Sequence, residues 1–168
     1  MMWVIFRHGE KQLQGFDPEL TPRGLEQARS IVKNVQSGRI PKPNVLYVST
    51  KKRTFQTLEP LGIATKLKPQ IRAELTERVP GESTEKFRLR IQEFLVRLIL
   101  YHQDHEVIYL CTHYDWIEEF LSTIECDTDL LRYSNFGAAQ YILFDKKELW
   151  HFIRSELIQS DLIQGEDV

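Results

Sequence analysis

Met1-Met2-Trp3-Val4-Ile5-Phe6-Arg7-His8-Gly9-Glu10 runs from an unbroken apolar segment directly into a cluster of chemistry-bearing residues. Residues 2–6 read as a short buried strand, bounded by polar sequence on its far side. The strand delivers an arginine, a histidine and a glycine together into a loop. Arg7 offers a planar fork of donors suited to phosphate or carboxylate. His8 is able to serve as nucleophile, base or metal ligand. Gly9 lets the backbone bend sharply or come close to a bound group.

Outward from this stretch, helical and extended patterns alternate. Lys11 to Leu20 is a polar loop with Gly15 and Asp17-Pro18. Thr21-Pro22 then opens a helix, with Thr21 as N-cap and Pro22 at the first helical position. Leu25, Ala28, Val32 and Val35 give it one apolar face through about Gln36. Val45-Leu46-Tyr47-Val48 is the second strand, and a helix from Lys52 to Leu61 follows, with Phe55, Leu58 and Leu61 on one side. Leu67 to Ile71 is a weak third strand, and Ala73 to Glu82 a loop. Ser83 or Thr84 caps a long helix whose Phe87, Ile91, Phe94, Leu95, Leu98 and Ile99 face inward. Val107 to Cys111 is the clearest strand, Asp115 to Ile124 a helix, and Ala139 to Phe144 with Leu149 to Ile153 a hairpin.

This order predicts an α/β fold. Its three α/β/α layers enclose a mostly parallel central sheet, with the antiparallel carboxy-terminal hairpin at one edge. A single domain is expected over 1–155, with a polar, acidic tail over 156–168. In open sheets of this kind, ligands bind beyond the carboxyl ends of the strands. Arg7-His8 follow the first strand, Ser49 and Arg53 the second, and Thr112-His113 the strand ending at Cys111. All three groups therefore fall at the same edge.

Composition excludes several classes. A chain of 168 residues with 27% charged side chains and a formal net charge of −2 has no global pull toward nucleic acid or an anionic membrane. Anion chemistry must come from a local cluster. Cys111 and Cys126 form no Cys-x-x-Cys pattern, so neither a disulfide framework nor a zinc site is expected. No secretory leader is expected, and no apolar run approaches the roughly 20 residues needed to span a bilayer. A reducing, cytoplasmic setting follows as the default.

Two histidines and two arginines at one edge suit phosphoryl transfer through a covalent intermediate. A neutral imidazole nitrogen attacks phosphorus, and water then hydrolyses the phosphohistidine. Arg7 and Arg53 grip the equatorial oxygens, whose charge the transition state spreads. His113 adds a third donor in its protonated form. The design needs neither metal nor cofactor.

These residues carry a resemblance. The Arg7-His8-Gly9-Glu10 tetrad resembles the signature of the histidine phosphatase superfamily, which holds phosphoglycerate mutases and SixA-type phosphohistidine phosphatases. Leu20 to Ala28 resembles the start of that family's first helix. Ser49 to Thr57 resembles its Ser-x-x-x-Arg-x-x-x-Thr segment, and Thr112-His113 its second histidine. The resemblance implies His8 as nucleophile, and Arg7, Arg53, His113 and Ser49 around the phosphate. Leu75-Thr76-Glu77-Arg78 is similar to the family segment that supplies the leaving group's proton, which makes Glu77 the candidate acid and Glu74 its competitor. The SixA branch manages without such an acid. Thr50 stands where the family often has proline, and Tyr114 where many members have glycine; the tyrosine ring is placed to narrow the mouth or select a substrate. Short loops between the motifs point to a small, open phosphatase instead of a lidded mutase.

The expected function is hydrolysis of phosphomonoesters or phosphoramidates on a small molecule or a phosphoprotein. The alternatives are a weak phosphate-binding regulatory module and a phosphoglycerate-type mutase. Other candidates have plainer readings. His102 and His105, beside Asp104, complement the dipole at the end of the long helix. His151 is structural, Lys51 and Lys52 extend the positive field or form a solvated helix start, and Trp3, Trp116 and Trp150 pack in the core. Cys111 behaves as a small hydrophobe.

Overall fold

The computed structural model describes residues 1–133 and 135–159. Six strands and four helices alternate in chain order: β1 (Met2–Arg7), α1 (Pro22–Gln36), β2 (Val45–Val48), α2 (Lys52–Thr65), β3 (Gln70–Ile71), α3 (Thr84–Tyr101), β4 (Val107–Thr112), α4 (Tyr114–Thr123), β5 (Gln140–Lys146) and β6 (Trp150–Leu157). The sheet order is β3-β2-β4-β1-β5-β6. β1, β2, β3 and β4 run parallel, and the β5–β6 hairpin is antiparallel and closes one edge.

β1 is apolar throughout because it has a helix layer on each side. Trp3 and Ile5 share one core with Phe94, Leu98, Trp116 and Phe120 of α3 and α4. Val4 and Phe6 share the other with Ile31, Leu58 and Leu61 of α1 and α2. The two-residue alternation of a strand sends neighbouring side chains to opposite faces, and β4 divides in the same way, Ile108 and Leu110 to the first core, Tyr109 and Cys111 to the second. Three tryptophans are core residues, as expected: Trp3 and Trp116 are fully buried and Trp150 nearly so. Cys111 is buried too, and burial pushes its thiol well above the ordinary range.

Several local expectations shift. Thr21 caps α1 by accepting from the Gly24 N–H at 3.0 Å, but the buried face is Gly24, Gln27, Ala28, Ser30 and Ile31. Leu25 is exposed, and Val32 and Val35 are half-covered. The helix is rotated because its first turn packs on the loop after β1: a Cβ on Gly24 would lie 2.1 Å from the Glu10 carbonyl oxygen. α2 continues past Leu61 to Thr65 with Pro60 inside it, ending in a left-handed Lys66. The third strand shrinks to Gln70–Ile71, both exposed. The loop after it opens with a 3-10 turn over Ala73–Leu75.

β6 runs past the expected domain boundary at 155 because β5 supplies partners that far: Tyr141 pairs with Glu156 and Gln140 with Leu157. Residues 160–168, the remainder of the expected acidic tail, lie outside the described residues. Among the described residues, no helix is long and apolar enough to cross a membrane.

Candidate active site

The parallel register brings three strand ends level. Arg7 pairs with Thr112, and Val48 with Cys111, so His8, Ser49 and His113 leave the sheet at one edge. The His8 backbone is tied on both sides, its N–H donating to Thr112 at 3.1 Å and its carbonyl accepting from Ala139 at 3.0 Å. The loop behind it is pinned as well. The Gly9 N–H donates to Thr57 Oγ1 at 2.9 Å, and the Glu10 N–H to Gln27 Oε1 at 2.9 Å. Gly9 has no positive φ; its close approach is to α1, where a Cβ would meet the Gly24 carbonyl oxygen at 3.0 Å. Its lack of a side chain thus serves close packing of the loop against α1.

The His8 and His113 rings face each other with centroids 5.4 Å apart, edge to face. A carbonyl only accepts, so the 2.7 Å contact between His8 Nδ1 and the Gly9 oxygen places the proton on Nδ1. The lone pair is then on Nε2. Burial, with lesser contributions from Arg53, Arg7 and Lys11, lowers the pKa of His8 from 6.5 to about 3. The ring is neutral at pH 7, the state a nucleophile needs.

His113 is fixed by a chain of hydroxyls. Thr54 Oγ1 donates to the Lys51 carbonyl at 2.8 Å, which leaves it to accept from Ser49 Oγ at 3.0 Å. Ser49 Oγ in turn accepts from His113 Nε2 at 2.8 Å. His113 Nδ1 is thereby free to accept from Arg53, 3.1 Å away. Burial, then the nearby Arg53, lowers its pKa to about 2. Burial beside guanidinium groups favours the neutral ring, so the protonated donor expected from the sequence requires an anion beside Nδ1 to hold the proton, where Glu77 Oε2 now lies at 3.1 Å.

Arg53 is almost fully buried and held between two carboxylates. One end meets Glu77 Oε2 in a short ion pair, and the other lies 3.6 Å from Asp17 Oδ1. Glu77 also sits 3.1 Å from His113 Nδ1 and 3.7 Å from Lys51 Nζ. Its carboxylate thus stands against the donors that an anion would use. Arg7 donates to the Phe136 carbonyl at 2.6 Å and lies over the Tyr114 ring, 5.3 Å from its centroid. The Nε atoms of Arg7 and Arg53 are buried without an acceptor. Such N–H groups are costly to leave unpaired, and an oxyanion is the partner that suits them.

The remaining candidates separate from this pocket. Glu74 pairs with Arg97 at 2.7 Å on the surface of α3. His102 caps the end of α3, with Nε2 on the Tyr47 hydroxyl at 2.9 Å and Nδ1 on Glu106 at 3.0 Å. Both its nitrogens are occupied, and His105 is exposed and apart. His151 pairs with Asp127 at 2.9 Å, tying β6 to the loop after α4. Lys52 reaches Glu19 at 3.3 Å. Among the described residues, no group of three or more His, Cys, Asp or Glu is arranged to hold a metal ion.

Asp17, Gln27, Thr54, Thr57 and the Phe136 carbonyl escaped the reading of the chain as site components. Thr57 carried a signal, since it closes the Ser-x-x-x-Arg-x-x-x-Thr segment one helical turn after Arg53. Asp17 and Phe136 carried none, since their roles come from loops that meet the site only in three dimensions.

Residues 3–79 match the histidine phosphatase superfamily, branch 1, the family that the motifs resemble. A 64-residue stretch is 41% identical to human 6-phosphofructo-2-kinase/fructose-2,6-bisphosphatase 4, covering 35% of this chain and 13% of that protein. The chain therefore spans a small part of that relative. Its fold is shared with the phosphoserine phosphatase of Entamoeba histolytica at TM-score 0.70 and 16% identity, over 92% of this chain and 95% of that one. It is shared with the protein histidine phosphatase SixA in complex with tungstate at TM-score 0.71 and 18% identity, over 95% and 97%. A mycobacterial glucosyl-3-phosphoglycerate phosphatase aligns at TM-score 0.70 and 17% identity, over 95% and 98%.

Proposed function

We propose that this chain, whose first half matches the histidine phosphatase superfamily, is a metal-independent phosphatase that passes the phosphoryl group through Nε2 of His8. The observation that carries the reading is the pair of neutral imidazoles 5.4 Å apart, one with its Nε2 lone pair free by tautomer, beside a buried guanidinium.

The phosphoryl oxygens take the place of the Glu77 carboxylate on Arg53 and His113, with Arg7 on the other side. A dianion there draws a proton from solvent onto His113 Nδ1, turning that ring into the third donor. The Nε2 lone pair of His8 attacks phosphorus; the N–P bond forms as the bond to the leaving oxygen or nitrogen breaks. Equatorial charge falls on the arginines and His113, which are already in place. Glu77, displaced but still beside the pocket, relays a proton that enters from solvent with the substrate to a poor leaving group. It then takes a proton from the water that attacks phospho-His8. Inorganic phosphate leaves and His8 is restored.

The substrate is a phosphorylated small molecule or a phosphoprotein. Brief exposure of the protein to a 32P-labelled phosphomonoester or phosphoramidate should leave an acid-labile, base-stable label on His8. His8→Ala should remove the label and lower turnover at least about 10⁴-fold while the protein stays folded. Saturable phosphate binding without label or turnover would identify a regulatory module instead, and phosphoryl exchange between positions of one substrate a mutase.

A further inference from the structure

The geometry points to Arg90, on α3 and outside the phosphate pocket, as the residue that positions Glu77; the inference rests on the reading of Glu77 as proton donor. One guanidinium gathers the whole loop that carries Glu77. Its Nη1 donates to the carbonyls of Glu74 at 2.9 Å and Thr76 at 3.0 Å and reaches that of Ala73 at 3.5 Å. Its Nη2 reaches the Glu77 carbonyl at 3.4 Å. The far end of the same loop is held by a bidentate pair, Nε and Nη2 to the two Glu82 oxygens at 2.9 and 2.8 Å. The Phe87 ring lies under the guanidinium, 4.9 Å from centroid to Cζ, and fixes its plane.

Arg90 therefore joins both ends of the loop to one point on a rigid helix. Arginine alone has five donors in a planar fork, so lysine cannot make this set of bonds. Other ties hold single points: Thr112 Oγ1 to the Leu75 carbonyl at 2.6 Å, the Trp116 indole to the Glu74 carbonyl at 2.8 Å, Asp115 to the Arg78 N–H at 2.8 Å, and Thr50 to Thr76 at 3.0 Å. None of them spans from Glu74 to Glu82. Arg90 hydrogen bonding also holds the Glu82 carboxyl below its usual range, so the clamp remains charged through mildly acidic conditions. A general acid acts only within hydrogen-bond reach of its target. Loosening the loop should therefore cost proton donation while phosphate binding, built on the strand ends, is kept.

The test pairs Arg90→Gln and Arg90→Lys with the unaltered protein. With an alkyl phosphate, whose leaving group needs a proton, Arg90→Gln should lower kcat about 30-fold with KM nearly unchanged. With 4-nitrophenyl phosphate, whose leaving group needs none, kcat should change less than about 3-fold. Arg90→Lys should recover only part of the loss. Combining Arg90→Gln with Glu77→Gln should add almost nothing to Glu77→Gln alone. Hydrogen exchange should rise across residues 73–82 in Arg90→Gln and stay unchanged in β1 and β4. Equal loss on both substrates, full additivity with Glu77→Gln, or unaltered exchange in the loop would overturn the assignment. If the unaltered protein hydrolyses neither substrate and takes no label on His8, the phosphatase reading fails instead. Exchange across 73–82 then decides the clamp by itself: a rise keeps it, and no change removes it.

Discussion

His8, Ser49 and His113 stand at the ends of strands that lie side by side in the sheet, and their positions follow from its backbone register. Glu77, facing them across the pocket, stands on a loop whose shape is set by side chains reaching in from α3 and α4. The strand-end wall is nearly water-free, with His8, Ser49, Arg53 and His113 all at or below 4% exposure, while the Glu77 side chain is about a third exposed. On the proposed reading, the first wall is preorganised for charge that develops on phosphorus, which is the term expected to dominate the rate. On the same reading the second wall is displaced by phosphate and returns to exchange protons.

If the walls differ in this way, Arg53→Ala should do the greatest damage after His8→Ala. It removes the donor shared by His113 and both carboxylates, and kcat/KM should fall about 10³-fold on every substrate, with phosphate binding weakened in calorimetry. A loss confined to poor leaving groups would put Arg53 on the wrong wall. Glu77→Gln should cost about 10²-fold on alkyl phosphates and little on phosphoramidates or aryl phosphates. Uniform loss across that panel would mean that Glu77 supports binding instead of proton transfer.

Gly24→Ala tests how firmly the first wall is braced. A methyl group 2.1 Å from the Glu10 carbonyl must push the His8 loop from α1, at a cost of about 3 kcal/mol. Differential scanning calorimetry should show Tm lower by roughly 10 °C. An unchanged Tm would mean that the loop yields freely.

A further test is the pH dependence of stability. Both imidazoles have folded-state pKa values, about 3 and about 2, below the 6.5 of the unfolded chain. Between those limits the unfolded state binds more protons, so stability is complete above about pH 6.5 and is lost as pH falls toward 3. Urea midpoints followed over that window should decline less steeply in His113→Asn. Parallel slopes would show that the buried imidazole is not the source.

The sequence made the first wall legible and the second only partly so. The apolar runs 2–6, 45–48 and 107–111 identified the strands, and the polar residue just after each run had to fall at the carboxyl edge of a parallel sheet. The motifs then carried the resemblance to the histidine phosphatase superfamily, which residues 3–79 match. On α1, Ala28 is buried and Val32 and Val35 pack on the core as expected, but Leu25 is exposed, and a glycine and a glutamine take the buried positions of the first turns to let two backbones touch. Local periodicity records burial in apolar cores and is silent about polar packing of that kind.

What the chain determined by itself was the order of its elements and the residue types at three strand ends, since both depend on neighbours within a few positions. Only the tertiary structure decided which nitrogen of His113 carries the proton, that the Phe136 carbonyl holds Arg7, and that Arg90 holds the Glu77 loop. Those outcomes depend on donors and acceptors that are distant along the chain and meet only after the layers have packed: 129 residues separate Arg7 from Phe136. A hydrogen bond has direction, and direction is settled only when both partners are fixed in space.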